Sequence, residues 1–187
     1  MIIGLTGKNG AGKGEAAEFL VQSGYVYHSL SDSLRDELNA RKLEITRDNL
    51  TDVGTELRTK HGAGILAERI LEKIPVGENA VVDSVRNPFE VEVLRRRKDF
   101  FLLAITAQAE IRFERIRNRG RENDPKTYED FVKMEAREAQ SDDPNAQQLN
   151  RTETMTDARI INEGNKEELC EKVREVILAF NAENSTS

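Results

Sequence analysis

A glycine-rich loop near the start of the chain has the residue types needed to bind phosphate. Gly7, Gly12 and Lys13 fit the spacing G-x-x-x-x-G-K, and the apolar run Ile2–Thr6 precedes them. Glycines let successive backbone N–H groups turn toward one anion, and the N-terminus of a following helix adds its dipole. A lysine at this spacing reaches the β- and γ-phosphates of ATP. The residues expected to contact the nucleotide here are Gly7, Asn9, Gly10, Ala11, Gly12, Lys13, Gly14 and Glu15.

The two residues after the lysine depart from the common pattern. Gly14 and Glu15 stand where many phosphate loops have a serine or threonine whose hydroxyl binds Mg²⁺. Glycine cannot replace that hydroxyl. Two interpretations stay open: Mg²⁺ is held mainly by water and another carboxylate, or Glu15 contributes through water. A third interpretation is that Glu15 only complements the dipole of the helix.

A second carboxylate ends an apolar run. Asp83 closes "AVVD", where a Walker-B-type acid would stand beside a bound triphosphate. The carboxyl edge of a parallel sheet faces the ligand crevice, so Asp83 is expected to hold a Mg²⁺-bound water or to orient the acceptor. The predicted metal-binding residues are therefore Asp83 and, through water, Glu15.

Arginines are concentrated in one segment of an otherwise acidic chain. Five of them lie within residues 112–121, although the formal net charge of the protein is −6. Guanidinium groups stay charged and match phosphate geometry, so they suit both substrate clamping and stabilisation of a transferring phosphoryl group. The acidic net charge argues against binding of a nucleic-acid backbone. The chemistry indicated is therefore recognition of small phosphorylated ligands.

The hydrophobic pattern predicts one α/β domain with a five-stranded parallel sheet and helices on both faces. Most of the apolar runs are continuous rather than alternating, as is typical of strands that are covered on both sides. Strands are predicted at residues 2–6, 25–28, 79–86, 100–106 and 158–162. Helices are predicted at about 13–22, 31–40, 46–60, 63–74, 87–97, 109–118, 127–139 and 166–180, with a loop at 140–152 and a tail at 181–187.

Composition indicates a cytoplasmic protein. The longest apolar run, 100–105, is far shorter than the roughly 20 residues that a membrane span needs. The N-terminal segment lacks the basic region of a secretory signal. Cys170 is the only cysteine, which excludes an intramolecular disulfide and fits a reducing compartment. With His28 and His61 it offers no cluster of the zinc-binding type.

Several motifs, taken in order, resemble the nucleoside monophosphate kinases and related small P-loop kinases. "GKNGAGKGE" (7–15) is similar to the adenylate kinase loop, which has threonine where this chain has Glu15. "YHSLSDSLRDEL" (27–38) and "VVDSVRN" (81–87) resemble the two blocks that bind the monophosphate. "RFERIRNRGREND" (112–124) resembles the arginine-rich entry to the LID. "DARIINEGNKEEL" (157–169) is similar to the closing strand and loop of dephospho-CoA kinases.

The likeness is greatest to a small archaeal-type family related to adenylate kinases, and it extends over residues 1–180. It includes "LEITRDNLTDVGTELR" (43–58) and "RGRENDPKTYEDFVKMEAREA" (119–139). The resemblance implies a P-loop NTPase fold in which one domain carries a small helical acceptor-binding lobe and a short LID. The implied divisions are a core at about 1–28, 71–111 and 127–180, the lobe at about 29–70 and the LID at about 112–126.

The resemblance also implies roles for single residues. Arg35 and Arg86 would hold the phosphate of the acceptor, each three residues after an aspartate, Asp32 or Asp83. Arg58 would reach the acceptor from the small lobe. Further acceptor contact is implied for Arg137, and contact with the donor base for the loop that carries Asn162 and Gly164. The catalytic residues implied are Lys13, Arg86, Arg115, Arg119 and Arg121, with Arg115 also binding the donor.

The predicted reaction is ATP- and Mg²⁺-dependent transfer of the γ-phosphate to a small phosphorylated acceptor, a nucleoside or deoxynucleoside monophosphate. One alternative is a dephospho-CoA kinase-like reaction, whose ribose hydroxyl needs a general base, and Asp32 or Asp83 would have to serve. Another alternative is an ATP-driven switch or assembly factor with a protein or RNA partner. A second phosphate site at Arg35 and Arg86 distinguishes a kinase from a switch.

Overall fold

The centre of the molecule is a five-stranded sheet in which all strand pairings are parallel. The computed structural model describes residues 1–120, 124–139 and 143–185. Across the sheet the strands follow the order β2-β3-β1-β4-β5, which confirms the predicted architecture. In chain order the strands are β1 (Ile2–Thr6), β2 (Val26–Ser29), β3 (Ala80–Asp83), β4 (Phe100–Thr106) and β5 (Ala158–Ile161).

Helices connect the strands at close to the predicted positions. One helix lies where the sequence indicates a loop: residues 149–153 are helical because Leu149 and Thr152 pack into the interior. No helix in the described part of the chain is long and apolar enough to cross a bilayer. The helices are α1 (Lys13–Gln22), α2 (Leu30–Ala40), α3 (Arg47–His61), α4 (Ile65–Leu71), α5 (Pro88–Leu94), α6 (Ala109–Arg119), α7 (Tyr128–Ala139), α8 (Leu149–Glu153) and α9 (Lys166–Ser185).

The sheet divides the interior into two hydrophobic cores. Successive side chains of a strand point to opposite faces, so Ile2 and Ile3 enter different cores, as do Leu102 and Leu103. Helices α2, α3, α4 and α5 cover one face, and α1 and α9 cover the other. Both faces are therefore buried, which explains why the strands are continuous apolar runs.

The strand order brings the predicted chemistry to one edge of the sheet. β1 lies between β3 and β4, so the loop after β1 is adjacent to Asp83 at the end of β3. A side chain at Gly7 would overlap the backbone carbonyl of Ile105 in β4, and its φ is +127°. Glycine is thus required where the loop leaves the sheet. β3 is shorter than predicted because Ser84 adopts a left-handed backbone with φ 67°.

Candidate active site

A cavity of about 790 Å³ opens at the carboxyl edge of the sheet. Its volume lies within the range of about 300–1,000 Å³ that is usual for small-molecule sites. The phosphate loop forms one end, and helices α2, α3 and α4 form the other. The lining from loop and core consists of Asn9, Gly10, Gly12, Lys13, Gly14, Glu15, Asp83, Ser84, Arg86, Arg115, Arg119, Asp124 and Gln147. The lining from β2 and the lobe includes Tyr27, Ser29, Leu30, Ser31, Leu34, Arg35, Ile45, Leu50, Thr51, Arg58 and Leu66.

The lysine of the loop folds back over the loop itself. Lys13 Nζ donates hydrogen bonds to the carbonyl oxygens of Gly7, at 2.7 Å, and Lys8, at 3.0 Å. Lys13 is the first residue of α1, and Gly12 before it has a left-handed backbone with φ 105°. A side chain at Gly12 would overlap the amide of Asn162. The loop is therefore a glycine-dependent cradle at a helix N-terminus, which fits the phosphates of a nucleotide.

Side chains from two other elements hold the outer side of the same loop. Arg112 Nη1 donates to the carbonyl oxygen of Asn9 at 3.3 Å, and Asn162 Nδ2 donates to that of Ala11 at 2.8 Å. Arg112 and Asn162 are only 3% and 5% exposed. The side chain of Asn162, a residue predicted to contact the donor base, supports the loop. Arg112 therefore has a structural role. The sequence does not reveal this role, because Arg112 belongs to the same arginine-rich segment as arginines that line the cavity.

The arginines of α6 differ in what they contact. Arg115 donates to the carbonyl oxygens of Asn162 and Gly164, at 3.1 and 3.0 Å, so α6 is tied to the loop after β5. Arg119 forms an ion pair with Asp124, with its Nε 2.7 Å and its Nη2 2.6 Å from the carboxylate. Arg115, Arg119 and Asp124 all line the cavity.

Some of the predicted LID and acceptor contacts lie outside what the structure describes. Residues 112–119 of the predicted LID belong to α6. Arg121 lies outside the described residues. Arg137 lies on α7, but its side chain is outside the description.

Asp83 lies between the two ends of the cavity. Its Oδ1 accepts a hydrogen bond from the backbone N–H of Ser84 at 2.6 Å, and its Oδ2 accepts one from the hydroxyl of Tyr27 at 3.4 Å. Burial, followed by the negative charge of Asp83, raises the pKa of Tyr27. Tyr27 therefore stays protonated at neutral pH and acts as a donor on the cavity wall.

The two arginines predicted to bind the acceptor both line the cavity. Arg86 Nη1 donates to Gln147 Oε1 at 3.2 Å. Arg35 Nη1 donates to Asp32 Oδ1 at 2.7 Å, in an exposed ion pair one turn along α2. Asp32 thus contacts a residue of the cavity lining, Arg35, through this ion pair. The arginines extend from separate elements and are brought to the same space.

Arg58 lines the cavity but is engaged by a buried carboxylate. Its Nη2 lies 2.7 Å from Oε1 of Glu90, and the two residues are 5% and 0% exposed. The other oxygen of Glu90 accepts the backbone N–H groups of Arg86, at 2.9 Å, and Asn87, at 3.1 Å. Glu90 was not predicted as part of the site. The sequence signal for it is a capping box, with Asn87 as N-cap and Pro88 at the first turn.

A segment predicted as loop is fixed beside the cavity. Asn87 Nδ2 donates to the carbonyl oxygens of Pro144 and Ala146, at 2.7 and 2.8 Å. The backbone N–H of Gln148 donates to the carbonyl oxygen of Arg86 at 3.0 Å. These bonds place Gln147 against the guanidinium of Arg86. No local pattern in the sequence indicates this contact, because it joins residues about sixty positions apart.

The far end of the cavity is apolar. Leu30 and Leu66 are buried there, and Leu34 is only 8% exposed. Ile45 remains 42% exposed and faces the same space as Leu50. An apolar wall next to cationic groups suits a ligand with a phosphate at one end and a planar or apolar group at the other.

The carboxylates suit a hydrated cation. Glu15 and Asp83, the predicted Mg²⁺ residues, both line the cavity. Among the described residues, no three Asp, Glu, His or Cys side chains converge as a metal-binding group. Mg²⁺ usually keeps several waters and is bound by one or two carboxylates together with substrate phosphates. The carboxylates present fit that mode of binding.

The fold and this site define a P-loop kinase-like protein. A model of the AAA domain family matches residues 3–143. A UPF0200 protein of Thermococcus gammatolerans is 32% identical over an alignment 187 residues long. The alignment covers 95% of this chain and 94% of the relative. The chain belongs to the AAA domain family and to the UPF0200 family.

Solved structures with the same fold include kinases. Shikimate kinase from Aquifex aeolicus has a TM-score of 0.56 at 15% identity, with full coverage of both chains (100%). The Mycobacterium tuberculosis APS kinase CysC, in complex with AMPPNP and APS, has a TM-score of 0.54 at 16% identity. That match covers 94% of this chain and 96% of the kinase. At such low identity these likenesses establish the P-loop kinase-like fold alone.

Proposed function

We propose that the protein is an ATP-dependent phosphotransferase that passes the γ-phosphate to a nucleoside or deoxynucleoside monophosphate. The observation that carries this proposal is that one cavity is lined by two separate sets of cationic groups, each suited to binding phosphate. The loop with Lys13 lies at one end, and Arg35 and Arg86 lie toward the other. An ATPase switch needs the first set only. A second cationic set is what a phosphorylated acceptor requires.

The lobe end of the cavity supports a nucleotide as the acceptor. Leu34, Ile45 and Leu50 provide an apolar wall for a base, while Arg35 and Arg86 provide charge for its phosphate. Gln147 holds one nitrogen of Arg86, and Glu90 holds its backbone N–H. The acceptor phosphate would therefore meet an arginine whose position is fixed before binding, which lowers the entropic cost of association.

Charge stabilisation would provide most of the catalysis. Lys13, Arg115 and Arg119 line the donor end, together with Asp83 in the middle of the cavity. We assign Lys13, Arg115, Arg119 and, as the sequence resemblance implies, Arg121 to stabilisation of the transferring phosphoryl group. An acceptor phosphate is already an anion, so no general base is needed. Mg²⁺, held through water by Asp83 and Glu15, would neutralise part of the phosphate charge.

A hydroxyl acceptor, as in dephospho-CoA kinase, is the second candidate. The observation that favours it is Asp83, a carboxylate that lines the cavity between the phosphate loop and the lobe. A hydroxyl must lose a proton during attack, and a carboxylate at that place can accept it. The variant Asp83→Asn distinguishes transfer to a hydroxyl from transfer to a phosphate. It would abolish transfer to a hydroxyl, whereas transfer to a phosphate would retain activity at raised Mg²⁺.

ADP formation, measured with a panel of acceptors, tests the proposal. The panel contains ribo- and deoxynucleoside monophosphates and dephospho-CoA. We expect one monophosphate to stimulate turnover, and Lys13→Met to lower turnover by about 100-fold or more, since it removes a charge that acts on the transferring group. Arg35→Ala should raise the acceptor KM by about tenfold to 100-fold through loss of a charged hydrogen bond.

Arg96→Ala is the matched control, because this arginine is exposed in the turn after α5 and is paired with Glu68 outside the cavity. It should leave both kinetic constants unchanged. Turnover that responds only to a protein or an RNA would contradict the kinase and support the switch. Unchanged turnover in Lys13→Met would contradict the assignment of the phosphate loop.

A further inference from the structure

Ser84 has a backbone conformation that residues other than glycine rarely adopt. Its φ is 67°, and among the described residues Lys42 is the other non-glycine residue with a positive φ. Lys42 directly follows the C-cap of α2, and the N–H groups of Lys42 and Leu43 donate to carbonyl oxygens in the last turn of that helix. This way of ending a helix requires a left-handed residue. Ser84 ends no helix, since it directly follows β3, so its conformation has a different cause.

The left-handed serine lies in the wall of the cavity, next to Asp83 and two residues before Arg86. Its backbone N–H donates to Asp83 Oδ1, a bond that glycine would make equally well. Glycine would also avoid the crowding of Cβ that makes a positive φ unfavourable. Strained residues are concentrated at functional sites, where the surrounding structure maintains them. What serine adds to glycine here is a hydroxyl group, so the hydroxyl is the candidate for a function.

A second serine orients this hydroxyl. Ser29, 2% exposed at the end of β2, accepts the backbone N–H of Ser31 at its Oγ, at 3.3 Å. Ser29 Oγ donates its own proton to Ser84 Oγ at 3.4 Å. A hydroxyl has one proton and can also accept hydrogen bonds. Because the oxygen of Ser84 accepts from Ser29, its proton is available to an acceptor in the cavity that both serines line.

The position of this hydroxyl pair indicates which ligand it meets. Ser29 lies opposite Asp83 in the register of β2 and β3, so the two hydroxyls lie at the carboxyl edges of these strands. In the sheet order, β2 is on the side of β3 away from β1 and its phosphate loop. β2 leads directly into α2, which carries Arg35, and Ser84 shares a loop with Arg86. The hydroxyl therefore belongs to the acceptor side of the cavity.

We propose that the hydroxyl of Ser84 donates a hydrogen bond to the phosphate of the acceptor, together with the guanidinium groups of Arg35 and Arg86. Ser84 is then a substrate-binding residue, and Ser29 positions its hydroxyl. The inference rests on the proposed function, because it needs a phosphorylated acceptor at this end of the cavity. It accounts for a side chain at a left-handed position and for the direction of the Ser29 hydrogen bond.

Steady-state kinetics of the full-length protein with the most active monophosphate of the panel tests the assignment. The variants are Ser84→Gly and Ser84→Ala, and both should raise the acceptor KM by about tenfold or more, as for loss of a hydrogen bond to a charged group. The KM for ATP should change by less than about twofold. Thermal unfolding is measured alongside. Ser84→Gly relieves the backbone strain that Ser84→Ala keeps, so its Tm should be higher than that of Ser84→Ala by about 2–4 °C.

Lys42→Gly is the matched control, because it places glycine at the other left-handed position, on an exposed residue that does not line the cavity. It should leave both KM values unchanged. An unchanged acceptor KM in Ser84→Gly and Ser84→Ala would overturn the inference while leaving the proposed function intact. Parallel losses for ATP and acceptor would also overturn it and make Ser84 a structural residue. If no monophosphate stimulated the unsubstituted protein, the proposed function would fail together with this inference.

Discussion

The carboxylate of Glu90 accepts hydrogen bonds from two separate parts of the cavity wall. One oxygen accepts a hydrogen bond from the guanidinium of Arg58 in α3. The other accepts hydrogen bonds from the backbone N–H groups of Arg86 and Asn87. Glu90 has no solvent exposure and Arg58 is 5% exposed. A charge so deeply buried is tolerated only when its partner is present. Helix α3 and the loop after β3 are therefore joined at this residue.

Substitution of Glu90 should be strongly destabilising. Glu90→Ala leaves the guanidinium of Arg58 buried without a counter-charge, and we expect the free energy of unfolding to fall by about 3–5 kcal/mol. Urea denaturation of the variant measures the change. Glu92→Ala provides the control, because Glu92 is exposed on the same helix and should shift stability by no more than about 0.5 kcal/mol. A loss below about 1 kcal/mol in Glu90→Ala would mean that Arg58 regains solvent when its partner is removed.

At the scale of elements, the segment before α8, residues 143–148, forms a strap beside Arg86 and Asn87. Two carbonyl oxygens of the strap accept hydrogen bonds from Asn87, and the strap in turn brings Gln147 to Arg86. The strap buries Gln148, which is 6% exposed. Its conformation thus fixes the direction of an arginine that belongs to another element. We therefore regard Gln147 as a positioning residue for acceptor binding.

Loss of the Gln147 side chain should affect the acceptor and not the donor. Gln147→Ala removes one hydrogen bond from the guanidinium of Arg86, so we expect the acceptor KM to rise by about threefold to tenfold, which corresponds to one hydrogen bond. The affinity for ATP should stay the same. Kinetics with the acceptor found in the panel and calorimetry with AMPPNP measure the two effects. Parallel loss of both would show that the strap supports the whole cavity instead of one arginine.

The elements were predictable to different degrees. The loop with Gly7 and Lys13 was predictable because its function needs a fixed local spacing, and the strands because both of their faces are buried. The helix at 149–153 was missed, since its inward residues, Leu149 and Thr152, are too few to give a helical period. The pairing of Arg58 with Glu90, and the strap contacts, join residues distant in the chain. Local periodicity carries no information about such contacts.

At the scale of the whole molecule, donor and acceptor would meet in one continuous cavity. Its volume of about 790 Å³ lies in the upper part of the range of about 300–1,000 Å³ that is usual for small-molecule sites, and its two ends present different chemistry. The phosphate loop lies at one end, whereas Leu34 and Ile45 form an apolar surface at the other. This arrangement suits two ligands whose phosphates face each other across Asp83.

A dinucleoside polyphosphate that joins both ligands should bind more tightly than ATP alone. Linking two ligands makes the second contact intramolecular, and this raises affinity by about 100-fold or more when the linker spans both sites. Calorimetry with dinucleoside tetra-, penta- and hexaphosphates measures the effect and its best length. Arg35→Ala should remove most of the gain while leaving ATP binding unchanged. Equal affinity of ATP and every linked compound would contradict a second nucleotide site.

The division of the interior by the sheet has a consequence for how this architecture diversifies. The phosphate loop and α1 rest on the core that α9 completes, whereas the lobe end of the cavity rests on the core of α2, α3 and α4. Substitutions that reshape the lobe therefore repack one core and leave the other intact. Under the proposed function, a change of acceptor would then leave the packing beneath the phosphate loop intact. Shikimate kinase and APS kinase share this fold at 15% and 16% identity, and their names specify different acceptors.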